Sequence, residues 1–443
     1  MPKIAREHLS DQPSYQALTF NIESQPPRKA IATVIIPASF VSTIYKEASL
    51  AQRDAAHPHG FAQQEVPLDY IISTYQANLI EHLKEFIFKF FVIGFLYHEI
   101  RHKKIALADE PRLITIELEP DKDARYQFEL NLFYEINIIQ WKYLPFKAPV
   151  RKRYKDLDRQ VDNFLREEQT LASQRDKTVV ETGDWVLFAL SIADKNNEIL
   201  LDDYKEQFWL KVGHEEVDST LREILLGKKI GEKFFSTNSA LQDFFSDQVD
   251  TNYNFCIEIV DIQPYTYFCF EQFKRHFRIK TNKEMHQKLV EVYSYRNDIS
   301  QRREMAEGAL NVMISKHPFS VPQALVDQQQ DLLLNAMYRN PDFNVYRTQE
   351  NFKQNVKTLA ENQVKETVFI DQLAYNENTN ITNQDVKQYL NFTKRPRMKE
   401  FVYFLPPTTR IGGQEMPIGA QEMKRTCLRE KALNHIIYHL TKK

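Results

Sequence analysis

The spacing of apolar positions changes several times over the first third of the chain, and each change predicts an element. Residues 30–37 form an apolar run with β-branched side chains, as expected of a strand. Residues 39–55 and 68–97 repeat apolar side chains at three- and four-residue steps, which predicts helices. Residues 112–118 and 126–133 alternate apolar with polar positions, a pattern typical of half-buried strands. This part therefore predicts an α/β unit.

The middle of the chain predicts a small β-rich unit. After a charged helical stretch at 152–171, strand patterns cover 183–190, 208–213 and 253–262. A short helix and the turn Leu226-Gly227-Lys228-Lys229-Ile230-Gly231-Glu232 lie between the second and third of these strands. The two glycines frame that turn, because glycine adopts backbone conformations that other residues avoid.

The last 180 residues show helical spacing and little β signal. A break at His317-Pro318-Phe319-Ser320-Val321-Pro322 precedes a helix that begins at Gln323, where the proline is well placed before the first turn. The other predicted helices cover residues 268–292, 298–315, 349–375, 383–391 and 416–442.

Composition narrows the class of protein. A length of 443 residues predicts two to four domains, and 30 Phe and 21 Tyr are ample for several buried cores. The formal net charge is −2, so the chain as a whole offers no basic surface for avid nucleic-acid binding. The three cysteines share no Cys-x-x-Cys spacing, which fits reduced thiols.

No stretch of the sequence predicts a membrane span or a secretory signal. The most apolar run, residues 86–97, is shorter than the roughly 20 residues that a spanning helix needs, and it includes Lys89. The start of the chain lacks the apolar core of a signal peptide. We therefore expect a cytoplasmic protein without a membrane partner.

The stretch Gly60-Phe61-Ala62-Gln63-Gln64-Glu65-Val66-Pro67 lies between the two predicted helices of the first unit. With the strand before it and the helix after it, it resembles the ribosome-docking loop of the trigger factor family, the bacterial ribosome-associated chaperones. The turn at 226–232 resembles part of that family's immunophilin-type prolyl isomerase domain. The break at 317–322 and the glutamine-rich helix after it resemble its chaperone domain. These matches are collinear over about residues 28–392.

The resemblance implies an α+β multidomain protein. Residues 1–115 would form an α/β ribosome-docking-like domain, 116–155 extended linker strands, 156–264 a β-rich immunophilin-type isomerase domain, and 265–443 a mostly helical chaperone domain packed between the other two. The implied function is holding of nascent or unfolded polypeptides without ATP. No Gly-x-x-x-x-Gly-Lys-Ser/Thr loop occurs in the chain, so we expect no nucleotide and no other cofactor.

The two sites that the resemblance implies have both diverged. In the docking loop Gly60, Phe61 and Pro67 match the family, but Ala62 and Gln64 replace its Arg and its second Gly, so ribosome association is an open expectation. The isomerase cleft would be lined by Leu190, Leu200, Phe208, Val217, Leu221, Phe244 and Phe245. Several family aromatics are missing from these positions, and we expect weak isomerase activity or none.

Two alternatives come from outside this interpretation. His98-Glu99-Ile100-Arg101-His102 matches the His-Glu-x-x-His pattern of zinc hydrolases, in which two histidines on one helix face bind the metal and the glutamate acts as base. No further histidine follows at the usual spacing, and Lys103 and Lys104 would repel a dication, so we expect no metal. The other alternative is a non-catalytic adaptor that kept the architecture alone. The sequence does not identify clients, oligomeric state or a role for residues 393–443.

Overall fold

The computed structural model describes residues 15–25, 28–62, 65–133, 136–150, 155–176, 178–201, 204–246, 249, 253–338, 340–407 and 409–442. All but one of the strands of the two main sheets lie in the first 263 residues, and most of the chain beyond residue 263 is helical. This organisation confirms the predicted α+β multidomain class.

The first unit is a four-stranded antiparallel sheet covered by helices. The strand order is β1-β2-β4-β3, with β1 (Thr19–Gln25), β2 (Lys29–Ile36), β3 (Arg112–Glu117) and β4 (Ala124–Asn131). Alternate residues of β2 and β4 are buried, so one face of the sheet packs on the core. Between β2 and β3 lie α1 (Ala38–Ala55), α2 (Leu68–Ile87) and α3 (Ile93–His102), with a π-helical turn, Phe88–Val92, joining the last two.

Two features of this sheet were not predicted. Strand β1 occupies a stretch without a clear alternating pattern, and it forms because each of its residues pairs with β2, from Thr19 with Ile35 to Gln25 with Lys29. The strands expected to start an extended linker instead complete the first sheet, since β4 pairs with β2 over its whole length. The four-part division of the chain stays a prediction.

The second unit is a five-stranded antiparallel sheet with the order β13-β6-β5-β8-β7. Its elements are α4 (Lys155–Ser173), β5 (Trp185–Ala193), β6 (Glu206–Lys211), α5 (Ser219–Leu225), β7 (Lys233–Ser236), α6 (Ser239–Phe245), β8 (Asn254–Gln263) and, from far along the chain, β13 (Ile418–Gly419). The short helices α5 and α6 lie between strands of this sheet along the chain, and the immunophilin-type module over 156–264 stays a prediction.

The third part is helical, with two short strand pairs that the periodicity did not predict. Its elements are α7 (Phe270–Phe277), α8 (Asn282–Tyr293), β9 (Tyr295–Arg296), β10 (Ile299–Ser300), α9 (Gln301–Lys316), α10 (Gln323–Tyr338), α11 (Phe343–Tyr346), α12 (Phe352–Asn376), α13 (Asn383–Phe392), β11 (Arg410–Ile411), β12 (Gln414–Glu415) and α14 (Ala420–Thr441). The single helix expected over 268–292 is wrong: the chain turns at Arg278, which has a left-handed φ of 55°.

Strand β5 lies at the centre of the molecule, and all nine of its residues are buried. Successive side chains of a strand point to opposite faces. Val186, Phe188 and Leu190 accordingly join one apolar core with the first unit, whereas Trp185 and Leu187 join a second core with the helical part.

This arrangement corrects one expectation about the packing of the units. We expected the helical part to separate the first unit from the second. Instead the two share one continuous apolar core, and the second sheet packs with one face on the first unit and with the other on the third part. The reason is the apolar character of both faces of β5, since each face has to be covered.

Candidate functional sites: a loop, a filled cleft and a helical arm

The predicted docking loop lies at the tip of the hairpin formed by α1 and α2. Gly60 has a φ of 95°, a conformation that favours glycine, and the adjacent Phe61 is 40% exposed. The rings of Phe61 and Tyr70 lie 5.2 Å apart, and Tyr70 is exposed as well. Pro67 immediately precedes α2 and ends the loop. The loop thus presents an aromatic pair to solvent.

A small apolar cluster anchors the base of this loop, and the loop itself presents few positive charges. Ala56, Val66 and Ile71 are buried together beneath it. Ala62 is exposed and carries no charge, and the nearby Arg53 lies 3.4 Å from the carboxylate of Asp54. Gln64 lies outside the described residues. The described part of the loop therefore offers apolar contact and little cationic character.

The predicted cleft residues are largely brought together by the second sheet and its helices. Leu190, Phe208, Leu221 and Phe245 are buried in the core shared with the first unit, and Leu200 and Phe244 pack against that core. Val217 is 49% exposed on a 3-10 turn, Glu216–Asp218, and lies outside the cluster. Six of the seven positions therefore share one apolar region.

That region is filled by the first unit's own helix. Phe86 and Phe90, from α2 and the π-helical turn, each place a ring 5.3 Å from the ring of Phe245. Phe86 also contacts Tyr253, at 4.8 Å between ring centroids. The side chains of Phe86, Phe90 and Phe245 are fully buried. A peptide substrate would have to displace this helix to reach the cleft.

Polar contacts fix the helix in place over the sheet. The His82 ring nitrogen Nε2 lies 2.7 Å from the hydroxyl of Tyr253, and Lys89 donates to the backbone carbonyl of Phe244 at 3.0 Å. Burial lowers the pKa of His82 to about 4, so this histidine is neutral at physiological pH.

A buried carboxyl group lies where the two units pack closely together. A side chain at Gly94 of α3 would place its Cβ 2.6 Å from Oε1 of Glu206 on β6. The hydroxyls of Tyr15 and Tyr204 each lie 3.2 Å from Oε2 of the same carboxyl group. Burial raises the pKa of Glu206 to about 8, although hydrogen bonds and Lys424 act in the opposite direction.

The His98-Glu99-x-x-His102 pattern does form on one helix, α3. The two imidazole rings are stacked with centroids 6.0 Å apart. Glu99 lies 3.6 Å from Lys103, which takes up the carboxylate that a hydrolase would use as base. Within the described part of the chain no group of three His, Cys, Asp or Glu side chains is placed to hold a metal ion. The geometry gives the zinc hypothesis no third ligand.

The third part carries an exposed apolar arm, which we define as residues 323–376. Helices α10 and α12 pack against each other along it, and Gln329 donates to Gln363 at 2.9 Å between them. Toward the tip, Leu332, Tyr338 and Val345 are 57%, 73% and 64% exposed, and Tyr346 and Leu359 are also exposed. Such a concentration of large apolar side chains in water is typical of an interaction surface.

Sequence reasoning missed two of these features. The arm's exposed residues follow the same helical spacing as buried ones, so periodicity alone could not separate them. The filled cleft did have a signal: residues 86–91 include Phe86, Ile87, Phe88, Phe90 and Phe91, which surround the helix on more than one side and indicate burial against more than one partner.

The sequence comparisons with known proteins agree with one another, because each match carries the description of a trigger factor. Residues 281–403 match the sequence model described as "Bacterial trigger factor protein (TF) C-terminus". The chain is 22% identical over 389 residues to the trigger factor of Geotalea daltonii, an alignment that covers 84% of this chain and 87% of the relative. It is also 22% identical over 438 residues to the trigger factor of Campylobacter jejuni, covering 94% and 95% of the two chains.

A solved structure from work on "Promiscuous Substrate Recognition in Folding and Assembly Activities of the Trigger Factor Chaperone" aligns with 95% of this chain and all of its own. The identity is 14% and the TM-score 0.33, which is too low to support an argument about the fold. Separately, none of the helices in the described ranges combines the length and the apolar character needed to cross a bilayer.

Proposed function

Because this chain is a divergent member of the trigger factor family, we propose that it is a cytoplasmic chaperone that holds nascent or unfolded polypeptides without ATP. The observation that carries the proposal is the exposed apolar arm, where Leu332, Tyr338 and Val345 offer contact area to unfolded chains. Binding of this kind is non-directional and requires no nucleotide. It also suits clients of many sequences, because apolar contact depends on buried area.

The test is suppression of aggregation of a chemically unfolded client in nucleotide-free buffer. We expect the full chain to suppress aggregation at near-stoichiometric ratios. The triple variant Leu332→Ser, Tyr338→Ser and Val345→Ser should bind the client at least about tenfold more weakly, since three exposed apolar contacts of about 1 kcal/mol each are lost.

A matched control changes equally exposed apolar residues elsewhere. Val150, Leu405 and Ile411 are 73%, 72% and 66% exposed, and their replacement by serine should leave suppression unchanged. Equal losses in the two triple variants would show that the arm has no special role. Suppression that requires ATP would contradict the proposed mechanism.

We further propose that the chain associates with the ribosome through its docking loop. The support is the exposed Phe61–Tyr70 pair at the hairpin tip and the anchored base beneath it. Co-sedimentation with ribosomes in modest salt should be lost in Phe61→Asp. Ile114→Asp, at a residue that is 48% exposed on β3, should sediment as the unchanged chain does.

The isomerase-like module is proposed to be degenerate. Prolyl isomerisation requires an apolar cleft that is open to the substrate, whereas Phe86 and Phe90 occupy this one. If neither aggregation suppression nor ribosome binding is observed, the adaptor alternative becomes the better description of the chain.

A further inference from the structure

The histidines of the zinc-like motif line a cavity of about 550 Å³ between α3, α14 and the turn that joins α12 to α13. His98, Arg101, His102 and Lys104 form one wall, Gln421 and Lys424 of α14 another, and residues 378–382 the third. The proposed chaperone function does not use this cavity, and its chemistry is distinct from that of the arm.

The charged side chains of the cavity wall are all cationic. Arg101, Lys104 and Lys424 line it together with the two histidines, and no Asp or Glu is among the described lining residues. Arg101 donates to the amide oxygen of Gln421 at 2.7 Å, and Lys104 donates to the amide oxygen of Asn378. Within the described residues neither cation lies within 4.0 Å of a carboxylate. Arg101 and Lys104 therefore give the wall positive charge that is not paired with a carboxylate of the described residues.

The pKa of His98 reflects the positive charge around it. Burial and, to a lesser degree, the positive charges of Arg101, His102 and Lys424 together lower the pKa of His98 to about 4. Its Nδ1 atom is buried without a hydrogen-bond partner in the described structure. Lys424 is 3% exposed and also lowers the pKa of the buried Glu206 behind the cavity. A dication would be repelled here, and an anion would be attracted.

The remaining lining suits an oxyanion. The turn at 378–382 contributes the amides of Asn378 and Asn380 and the hydroxyl of Thr379, whereas the hydroxyl of Thr382 donates to Asp385. Arginine and lysine with neutral donors around them are the groups that proteins use for phosphate. We propose that this cavity binds a compact phosphate polyanion, of the size of pyrophosphate or tripolyphosphate.

The experiment is calorimetric titration of the full chain, in metal-free buffer of low ionic strength, with inorganic phosphate, pyrophosphate and tripolyphosphate. We expect one site per chain and an affinity that rises with the charge of the anion and falls with added salt. Failure of all three compounds to bind would overturn the proposal.

Adjacent lysines provide a matched pair of variants. Lys104 lines the cavity, whereas Lys103 lies 3.6 Å from Glu99 and does not line it. Lys104→Gln should weaken pyrophosphate binding about fivefold, and Lys103→Gln by no more than about twofold, although both remove one charge. Both side chains are at the surface, so neither variant should lose its fold. Equal weakening would indicate diffuse attraction and contradict a site.

A zinc titration separates this site from the metal alternative. We expect no stoichiometric zinc binding that depends on His98. One equivalent of zinc that is lost in His98→Ala and that displaces pyrophosphate would overturn the proposal in favour of a metal site. Because no client or ribosome enters these measurements, their outcome is independent of the proposed chaperone function.

Discussion

At the scale of single residues, the junction of the first and second units depends on a small number of close contacts. Gly94 leaves room for the carboxyl group of Glu206, and two tyrosine hydroxyls surround that group. A buried carboxyl group of this kind is stable when it is protonated and costs free energy when it is charged. The junction is therefore sensitive to pH.

The sign of that sensitivity can be worked out. The pKa of Glu206 is about 8 in the folded chain and near 4.5 when unfolded, so the folded state binds more protons between these values. The free energy of unfolding should fall as pH rises from 5 to 8, by at most about 1.4 kcal/mol per pH unit from this group. In Glu206→Gln this contribution should vanish, as measured by urea unfolding at several pH values. Parallel pH profiles for the two proteins would contradict the assignment.

At the scale of elements, the segment from α2 to α3 packs against both main sheets. The rings of Phe86 and Phe90 face the second sheet, whereas Phe88 stacks on Tyr126 and Phe128 of the first sheet, at 6.2 Å from each. The π-helical turn Phe88–Val92 lies at this point. One apolar segment therefore joins both sheets and covers the residues that were predicted to line the cleft.

Two phenylalanines of the same turn allow a matched test of this role. Phe90 is fully buried between the units, whereas Phe88 is partly buried on the first sheet. Phe90→Ala should lower the free energy of unfolding by about 3–5 kcal/mol, because it leaves a cavity, and Phe88→Ala should cost less. Urea denaturation of both variants measures the difference. Equal costs would show that the junction is not tightly packed.

The same closure predicts the result of an isomerase assay. The unchanged chain should not accelerate proline-limited refolding of a test protein, because the cleft is occupied and lacks several of the family's aromatic side chains. Strong acceleration at catalytic concentrations would contradict a degenerate module and would require the helix to move away from Phe245.

At the scale of the whole molecule, the second sheet is an inner layer. Its two faces belong to different apolar cores, one shared with the first unit and one shared with the helical part. Strand β13 adds to the sheet from residue 418 onward, and α14 continues from it into the helical core. The last 50 residues, which had no predicted role, thus connect the second sheet to the third part.

The inner position of the sheet predicts that residues 156–264 cannot fold in isolation. Once excised, the module would expose both faces of β5 and lose its edge strand β13. We expect weak cooperativity in urea unfolding and strong binding of an apolar dye, in contrast to the intact chain. A sharp two-state transition of the excised module would contradict the three-layer arrangement.

Much of the secondary structure could be predicted from local pattern. Strands β2, β4 and β8 and helices α1, α10, α13 and α14 lie within a few residues of their expected bounds. Strands β1 and β13 could not be predicted, because their residues become strand only by pairing with a distant partner. The break at Arg278 was missed because apolar spacing continues across it.

The sequence alone determined the class of fold, the order of elements and the family resemblance, because periodicity and short motifs are local properties of the chain. It also suggested residues for a docking loop and an isomerase cleft, which stay predictions. Only the tertiary structure decided that Phe86 and Phe90 pack on the residues predicted to form the cleft, that the arm's apolar side chains are exposed, and that His98 and His102 face cations. These facts depend on which surfaces meet, and a one-dimensional pattern does not record whether an apolar face is covered by another part of the chain or left in water.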